Sequence, residues 1–242
     1  MKKISFSFSG SAVCLAAMGA FGWWANLAAD ETGLTPLAEK GELLLSDDFS
    51  REDLGEKWKT VIPTFSVSDG LLHGSQTRDD HGAVGRASLE FQDAVIEFRM
   101  RLAGSPTVNA VCDDKNYKGS HAGHICRVAF AAKQIRIGDD KEGVMRNDIF
   151  EMRKDPSRKA EADKLLEGRG ATIKQGIDQQ RWYEVRIEIV GDTLQVSLEG
   201  KPVGRLSSPG IAHPTKTSFH FTVNGTEAQF DDVKIWAAKP AK

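Results

Sequence analysis

The sequence predicts an all-β fold, a sandwich or jelly roll made of two antiparallel sheets. Apolar and polar residues alternate strictly over residues 95–102, with Ile96 on one face and Glu97 on the other. The same two-residue period recurs over residues 182–190 and 194–198. A period of two is typical of a half-buried strand, and many short strands separated by turns are typical of a sandwich.

Turn residues separate the predicted strands. Asp69-Gly70 lies between two short apolar runs, and Asn224-Gly225 lies between two aromatic runs. Glycine, asparagine and aspartate tolerate the backbone conformations that tight turns need. We therefore expect a hairpin around the first pair and two closing strands around the second.

One segment departs from the strand pattern and predicts a single short surface helix. Asp155 is suited to the N-cap and Pro156 to the first helical position. The polar run then continues to Leu166, and Gly168 follows it. Because this run is polar almost all round, we expect it to lie on the surface, as a plain insertion or as the rim of a site.

The first 29 residues predict a secretory signal peptide. Two lysines precede an uncharged, largely apolar stretch over residues 4–24, and small residues precede a cleavage position after Ala29. An uncleaved anchor is the alternative, and Cys14 lacks the sequence context of a lipid anchor. The expected location is periplasmic or secreted, and the signal does not separate the two.

The rest of the chain predicts one domain. Residues 30–42 form an N-terminal extension, residues 43–238 the sandwich domain and residues 239–242 a C-terminal tail. A β-domain of this length is common.

The charge of the chain argues against a nucleic-acid partner. The formal net charge of the whole chain is −2, and cleavage of the signal peptide would make it more negative, because it removes two lysines and no acidic residue. Acidic and basic residues are interspersed, without the basic stripe that displaces counterions from a nucleic acid. A neutral ligand such as a sugar is compatible with this pattern.

Two cysteines, Cys112 and Cys126, remain after the predicted cleavage. Their strands are expected to form a hairpin around the polar residues 113–123, which would place the two sulfurs on facing positions. In an oxidising compartment the pair could form a disulfide. Two buried free thiols are the alternative.

The densest polar cluster extends from Asn109 to Arg127 and includes Asp113 and His124. Carboxylates and imidazoles together bind divalent metals or perform acid–base catalysis. The spacing matches no zinc or calcium motif, so the sequence does not identify a cofactor. A divalent metal ion is one candidate. A plain loop that joins two strands is the alternative.

A second polar cluster lies earlier in the chain, and loop order suggests that it faces the same end of the sandwich. Its members are His73, Arg78, Asp79, Asp80, His81 and Arg86. Charged residues also line the outward faces of the predicted strands, among them Glu97, Arg99 and Glu188. Such residues form cross-strand pairs or contact a ligand.

Several segments together resemble the 3-keto-disaccharide hydrolase domain family. They are residues 44–49 with Trp58, the hairpin over 65–72, the strand over 94–101, the segment 123–128, the strand pair over 182–200 and the ending over 230–235. The resemblance covers about residues 43–236. It implies a concanavalin A-like jelly roll that is loosely related to family 16 glycoside hydrolases and laminin-G-like modules.

The resemblance implies a carbohydrate substrate and cleavage of the glycosidic bond of 3-keto-disaccharides or 3-keto-glycosides. The chain lacks the Glu-x-Asp-x-Glu triplet of family 16, so chemistry with two paired carboxylates is not expected. The candidate catalytic residues are His124 or His81 as base at C2 and Arg99 or Arg127, or a bound cation, as electrophile on the ketone oxygen. Asn109, Asp113, Glu97 and Trp182 are candidates for substrate binding, and Asp113 is also a candidate acid or metal ligand.

Two other functions fit the same fold. A non-catalytic carbohydrate-binding module would use aromatic platforms, for which Trp58, Tyr117 and Trp182 are candidates. A laminin-G-type interaction domain would bind no sugar. The sequence predicts neither the identity of the sugar nor the oligomeric state.

Overall fold

The computed structural model describes residues 33–241. The predicted signal peptide and Cys14 lie outside the described residues. Within residues 33–241, no helix has the length and apolar character needed to cross a membrane.

The described chain folds into short strands with two α-helices. The strands are β1 (Ala38–Asp47), β2 (Trp58–Ile62), β3 (Phe65–Ser68), β4 (Leu71–Gly74), β5 (Ala83–Phe91), β6 (Ala94–Arg101), β7 (Thr107–Asp113), β8 (His124–Ala131), β9 (Gln134–Asp139), β10 (Gly170–Lys174), β11 (Tyr183–Val190), β12 (Thr193–Leu198), β13 (Lys201–Ser207), β14 (Lys216–Asn224) and β15 (Ala228–Pro240). The helices are α1 (Asn147–Met152) and α2 (Lys159–Leu165). Short 3-10 turns occur at His121–Gly123, Pro156–Arg158 and Pro209–Ala212.

The strands form two antiparallel sheets. One sheet has seven strands in the order β10-β9-β8-β7-β14-β5-β2. The other has eight, in the order β13-β12-β11-β6-β15-β4-β3, with β1 paired to β15. This architecture confirms the predicted all-β jelly-roll sandwich.

The core fills the space between the sheets, and the two-residue period of the sequence decides which side chains enter it. Ile96, Phe98 and Met100 on β6 are at most 2 % exposed. Aromatic rings join the two sheets, since Phe221 on β14 stacks on Phe230 of β15 with ring centroids 3.9 Å apart. Burial of apolar area on this scale is the main favourable term in folding.

The hairpin predicted around Asp69-Gly70 is present between β3 and β4. Ser68 pairs with Leu71, so the loop has two residues. Asp69 has φ 52° and Gly70 has φ 71°. Positive φ at both loop positions is the geometry of a type I′ turn, whose twist matches that of the flanking strands.

The segment between β9 and β10 contains both α-helices. The predicted helix is confirmed as a 3-10 turn that leads into α2, and the Asp155 carboxylate accepts a hydrogen bond from Ser157 N at 2.9 Å. Helix α1 was not predicted, because six residues are too few for a clear helical period. Residues 140–169 form one insertion, called the helical insertion below.

The N-terminal part of the described chain changes the environment of Glu188. The alternating pattern placed Glu188 on an outward face, but its exposure is only 1 %. Leu37 N and Ala38 N each donate to Glu188 Oε1 at 3.2 Å, and Gln195 Nε2 donates to Oε2 at 3.0 Å. Residues that precede the predicted domain boundary therefore cover this part of the eight-stranded sheet.

Cys112 and Cys126 are direct cross-strand partners on β7 and β8, as the predicted hairpin requires. Both face the core, with 3 % and 0 % exposure. They are free thiols in this structure, so the predicted disulfide is not formed in it.

Replacement of Phe221 by alanine should destabilise the fold by about 3–5 kcal/mol, because it removes ring contacts with both sheets and leaves a cavity. Urea unfolding followed by circular dichroism measures the change. Leu165→Ala, at a side chain that is 39 % exposed, is the matched control and should change stability by less than about 0.5 kcal/mol. Equal effects of the two substitutions would contradict this account of the core.

Candidate active site

Two adjoining cavities lie on the outward face of the seven-stranded sheet. The larger has a volume of about 520 Å³ and is lined by four histidines, so we call it the histidine cavity: His81, His121, His124 and His220. The second has a volume of about 430 Å³ and is lined by four arginines, so we call it the arginine cavity: Arg127, Arg136, Arg153 and Arg169. Asn109, Arg127 and Met145 line both cavities.

Strand register brings the polar residues of the histidine cavity together. On β14, His220 pairs with Arg86 of β5 on one side and with Val111 of β7 on the other. Val111 in turn pairs with Arg127 of β8. Asp113 follows Val111 by two residues and lies on the same face, since side chains alternate along a strand.

Asp113 is the centre of the site. It is 2 % exposed, and its Oδ1 lies 2.6 Å from His124 Nδ1. Its Oδ2 accepts a hydrogen bond from Arg86 Nη2 at 3.1 Å. His220 Nδ1 lies 2.9 Å from the same oxygen, but it is not aligned for a hydrogen bond and is one of the buried nitrogens without a partner among the described residues.

These contacts determine the charge of the site. Burial raises the pKa of Asp113, but the imidazoles of His220 and His124 more than offset it, so the pKa lies well below the usual value. Burial lowers the pKa of His220 below 6.5, and the attraction of Asp113 offsets this only in part. At neutral pH the site therefore contains an ionised Asp113 and a neutral His220.

The hydrogen bond between His124 and Asp113 determines the tautomer of His124. An ionised carboxylate can only accept a hydrogen bond, so His124 Nδ1 is the donor. In the neutral ring, Nε2 then has a free lone pair. A histidine oriented in this way by a carboxylate is the usual form of a general base.

Within residues 33–241, Asp113, His124 and His220 form a group that could hold a metal ion, because one ligand atom from each lies within 4.8 Å of the others. Carboxylate and imidazole ligands suit several divalent metals. However, the Asp113 oxygens already contact His124 and the Arg86 guanidinium. The positive charge of Arg86 at Oδ2 would repel a cation bound to this carboxylate, so the geometry favours acid–base chemistry.

Arg127 connects the two cavities. Its Nε donates to both carboxylate oxygens of Asp140, at 2.8 and 2.6 Å. Asp140 is fully buried. Arg127 Nη2 is also buried and has no partner in the part of the chain that the structure describes. The Asp140 carboxylate thus holds the guanidinium in place, while its Nη2 donor has no acceptor among the described residues.

The structure brings five of the sequence-predicted site residues together: Asn109, Asp113, His124, Arg127 and His81. The first four lie on β7 and β8, and His81 lies in the loop before β5. His81 Nδ1 lies 2.7 Å from Gly82 O. From the second polar cluster, Asp80, His81 and Arg86 line the histidine cavity. His73 instead contacts Glu227 at 2.9 Å.

Three predicted site residues, Glu97, Arg99 and Trp182, lie elsewhere. Strand β6 belongs to the eight-stranded sheet, and the outward faces of two packed sheets point in opposite directions. On that face Arg99 donates to Asp231 at 3.0 Å and lies over the Trp182 ring at 5.2 Å. The structure therefore separates these three residues from His124.

Sequence reasoning missed His220. The alternation of Phe219 and Phe221 already indicates that His220 points outward, but a single strand does not reveal its neighbours. The pairing of β14 with β7 and β5, which join sequence positions more than 100 residues apart, places His220 beside Asp113.

Several solved structures of low sequence identity share the fold of this chain. A carbohydrate-binding module, CBM66 from Bacillus subtilis, has a TM-score of 0.51 at 14 % identity, over 75 % of this chain and 96 % of that chain. The apo Crh5 transglycosylase has a TM-score of 0.56 at 13 % identity, over 86 % and 90 %. A Bacillus subtilis protein of unknown function with a galectin-like fold has a TM-score of 0.57 at 12 % identity, over 85 % and 100 %. These similarities show a jelly-roll β-sandwich.

The match to a protein family is more informative about function than the similarity of fold. The family described as 3-keto-alpha-glucoside-1,2-lyase-like domain matches residues 46–236. The protein belongs to this family, which confirms the resemblance seen in the sequence and makes its function carbohydrate-related. A comparison with curated protein sequences gives no match.

The lowered pKa of His220 predicts that the protein loses stability as the pH falls below about 6.5. The unfolded state takes up the proton first, so it is favoured over the native state at lower pH. One proton contributes a slope of at most about 1.4 kcal/mol per pH unit. Urea unfolding between pH 7.5 and pH 5 measures this slope.

The variant His220→Asn should have a shallower pH dependence than the wild type over this range. Ser218→Ala, on the same strand and face, is the matched control and should leave the slope unchanged. Parallel curves for His220→Asn and the wild type would show that His220 is not the group that titrates.

Proposed function

We propose that the protein cleaves the glycosidic bond of 3-keto-glycosides by elimination, with His124 as the base. The observation that carries the proposal is the 2.6 Å contact between His124 Nδ1 and the buried Asp113 carboxylate on the wall of the histidine cavity. Membership of the 3-keto-alpha-glucoside-1,2-lyase-like family supports the substrate class.

A ketone at C3 of the sugar makes the C2 proton acidic. His124 Nε2 takes that proton, and the electron pair of the C2–H bond is delocalised as an enolate. The pair then forms the C1–C2 double bond as the bond between C1 and the leaving oxygen breaks. Addition of water across the double bond gives the free 3-keto sugar, so the net reaction is hydrolysis.

The enolate oxygen needs donors that are already in place. Arg86 and Arg127 lie in one row across the sheet, on either side of His220 and Val111. Arg86 Nε and Arg127 Nη2 are buried donors without partners within residues 33–241. Donors held in position before the reaction stabilise developing negative charge without reorganisation.

Asp113 is assigned an orienting role, and not the role of acid. Its pKa is held low by His220 and His124, so at neutral pH it has no proton to donate. The leaving oxygen instead receives its proton from the imidazolium that His124 becomes after the first step. Asp113 stabilises that imidazolium and stays ionised throughout.

The binding-module hypothesis receives less support, because the three aromatic side chains that could stack on a sugar already pack against other side chains. Trp58 is 2 % exposed and stacks on Phe221 in the core. Tyr117 packs against His213 with ring centroids 5.0 Å apart. Arg99 and Arg101 both lie over the Trp182 ring.

We further propose that the protein acts outside the cytoplasm, on the basis of the signal peptide predicted over residues 1–29.

Sugar release from glucose disaccharides and from their 3-keto forms tests the proposal. We expect release from the keto forms only, and a decrease in kcat of about 10²–10⁴-fold in His124→Asn. Arg99→Ala, on the opposite sheet, is the control and should retain full activity. Lanes with added divalent metal and with chelator show whether a cation contributes. Binding of the keto sugars without release would favour the non-catalytic module.

The same reaction in D₂O distinguishes elimination from direct displacement. Elimination followed by water addition places solvent deuterium at C2 of the released 3-keto sugar, whereas displacement at C1 leaves C2 unlabelled. Mass spectrometry and NMR of the product measure the label. Free 3-keto sugar incubated with the His124→Asn variant corrects for spontaneous exchange.

A further inference from the structure

The arginine cavity lies beside the histidine cavity, between the sheet and the helical insertion. Arg136 lies on β9 and pairs with Thr172 of β10. Arg153 is the C-cap residue of α1, and Arg169 directly precedes β10. Arg136 and Arg153 are exposed, so their guanidinium groups are accessible to a ligand.

Among the described residues, only two carboxylates line this cavity, and both already accept hydrogen bonds from other groups. Asp140 contacts Arg127 Nε with both oxygens. Asp139 is 1 % exposed and accepts hydrogen bonds from Ser208 Oγ at 2.6 Å, Gly210 N at 2.9 Å and Glu142 N at 2.9 Å. Among the described residues, Arg136, Arg153 and Arg169 have no carboxylate within 4 Å.

This lack of partners is uncommon in the molecule. Nine of the fourteen arginines in residues 33–241 contact a carboxylate: Arg51, Arg78, Arg86, Arg99, Arg127, Arg146, Arg158, Arg181 and Arg186. Of the other five, Arg101 and Arg205 bond glutamine side chains. The remaining three all line the arginine cavity, although the whole chain has a net charge of −2.

Two donors in this cavity are also unsatisfied. Arg169 Nη1 donates to Ser208 Oγ at 3.2 Å, but Arg169 Nε is buried without a partner in the described chain. Arg127 Nη2 is likewise buried and has no hydrogen-bond partner among the described residues. Burying a donor without an acceptor costs free energy, and a ligand oxygen would remove that cost.

Guanidinium groups that lack a carboxylate are suited to carboxylate, sulfate or phosphate oxygens, which they bind through paired hydrogen bonds. The position of the cavity then indicates where such a group belongs on the substrate. Because Asn109, Arg127 and Met145 line both cavities, a glycoside whose keto sugar lies beside His124 would extend its neighbouring unit into the arginine cavity.

We propose that the arginine cavity is a subsite for a negatively charged group, a carboxylate, sulfate ester or phosphate ester, on the sugar unit next to the one that is cleaved. This proposal rests on the proposed function for the identity of the substrate, but binding at the subsite does not require catalysis.

Titration calorimetry at low salt tests the subsite with glucuronate, glucose 6-sulfate and glucose 6-phosphate, each compared with glucose. We expect the charged sugars to bind at least about tenfold more tightly than glucose, since a charge-assisted hydrogen bond contributes at least that factor. The ranking of the three identifies the preferred group. Binding should weaken as salt is added.

The double variant Arg136→Ala/Arg153→Ala should lose this preference for charged sugars. Both side chains are exposed, so the variant should stay folded. Arg99→Ala/Arg205→Ala removes the same charge elsewhere on the surface and should bind as the wild type does. Equal affinity for glucose and the charged sugars would overturn the proposal, as would unchanged binding in Arg136→Ala/Arg153→Ala.

His124→Asn separates this proposal from the proposed function. It should lower kcat for 3-keto substrates by about 10²–10⁴-fold while the binding of charged sugars persists. Binding of charged sugars without turnover of any keto substrate by the wild type would overturn the proposed function and leave the subsite. Binding of inorganic sulfate or phosphate without binding of the charged sugars would overturn the subsite.

Discussion

The aromatic contacts that join the two sheets are the interaction on which the other features depend. Phe221 stacks on Phe230 across the sandwich and on Trp58 within its own sheet. These contacts fix the position of β14 between β7 and β5. Since side chains alternate along a strand, the residues beside Phe221 must point away from the core. The packing of the core thus determines that His220 lies on the outward face beside Asp113.

The histidine cavity depends on a carboxylate that is buried and still ionised. Burial alone would favour the neutral acid, but the contacts of Asp113 with His220 and His124 reverse this effect, and Arg86 adds a further donor. A charge in a site of low polarity orients its neighbours strongly, because water screens it little. The same principle applies to Arg127, which buried Asp140 holds in place between the two cavities. The arginine cavity is different, since three of its four guanidinium groups contact no carboxylate in the described chain. These groups therefore remain able to bind a negatively charged ligand.

Several parts of the fold and site could be predicted from local patterns. The faces of β6 and β11, the turn at Asp69-Gly70 and the N-cap Asp155 follow from period and turn chemistry, and all are present. The polar cluster from Asn109 to Arg127 was recognised because its residues lie close together in sequence. Glu97, Arg99 and Trp182 are expected at the same site from the sequence, but Glu97 and Arg99 lie on β6 of the opposite sheet, and Trp182 directly precedes β11 of that sheet. Alternation identifies the outward residues of each strand, whereas sheet membership is decided by contacts between distant segments.

The sequence by itself determined the all-β class, the composition of the core faces, the resemblance to the 3-keto-disaccharide hydrolase family and the candidates Asp113, His124 and Arg127. These features depend on neighbours within a few residues or on recognisable segments. Only the tertiary structure decided that His220 and Arg86 complete the site, that Glu188 is covered, and that the helical insertion forms a wall of the arginine cavity. Each of these depends on the pairing of strands and the packing of segments far apart in the chain. Such pairings are selected by the burial of the whole core, and no local pattern contains that information.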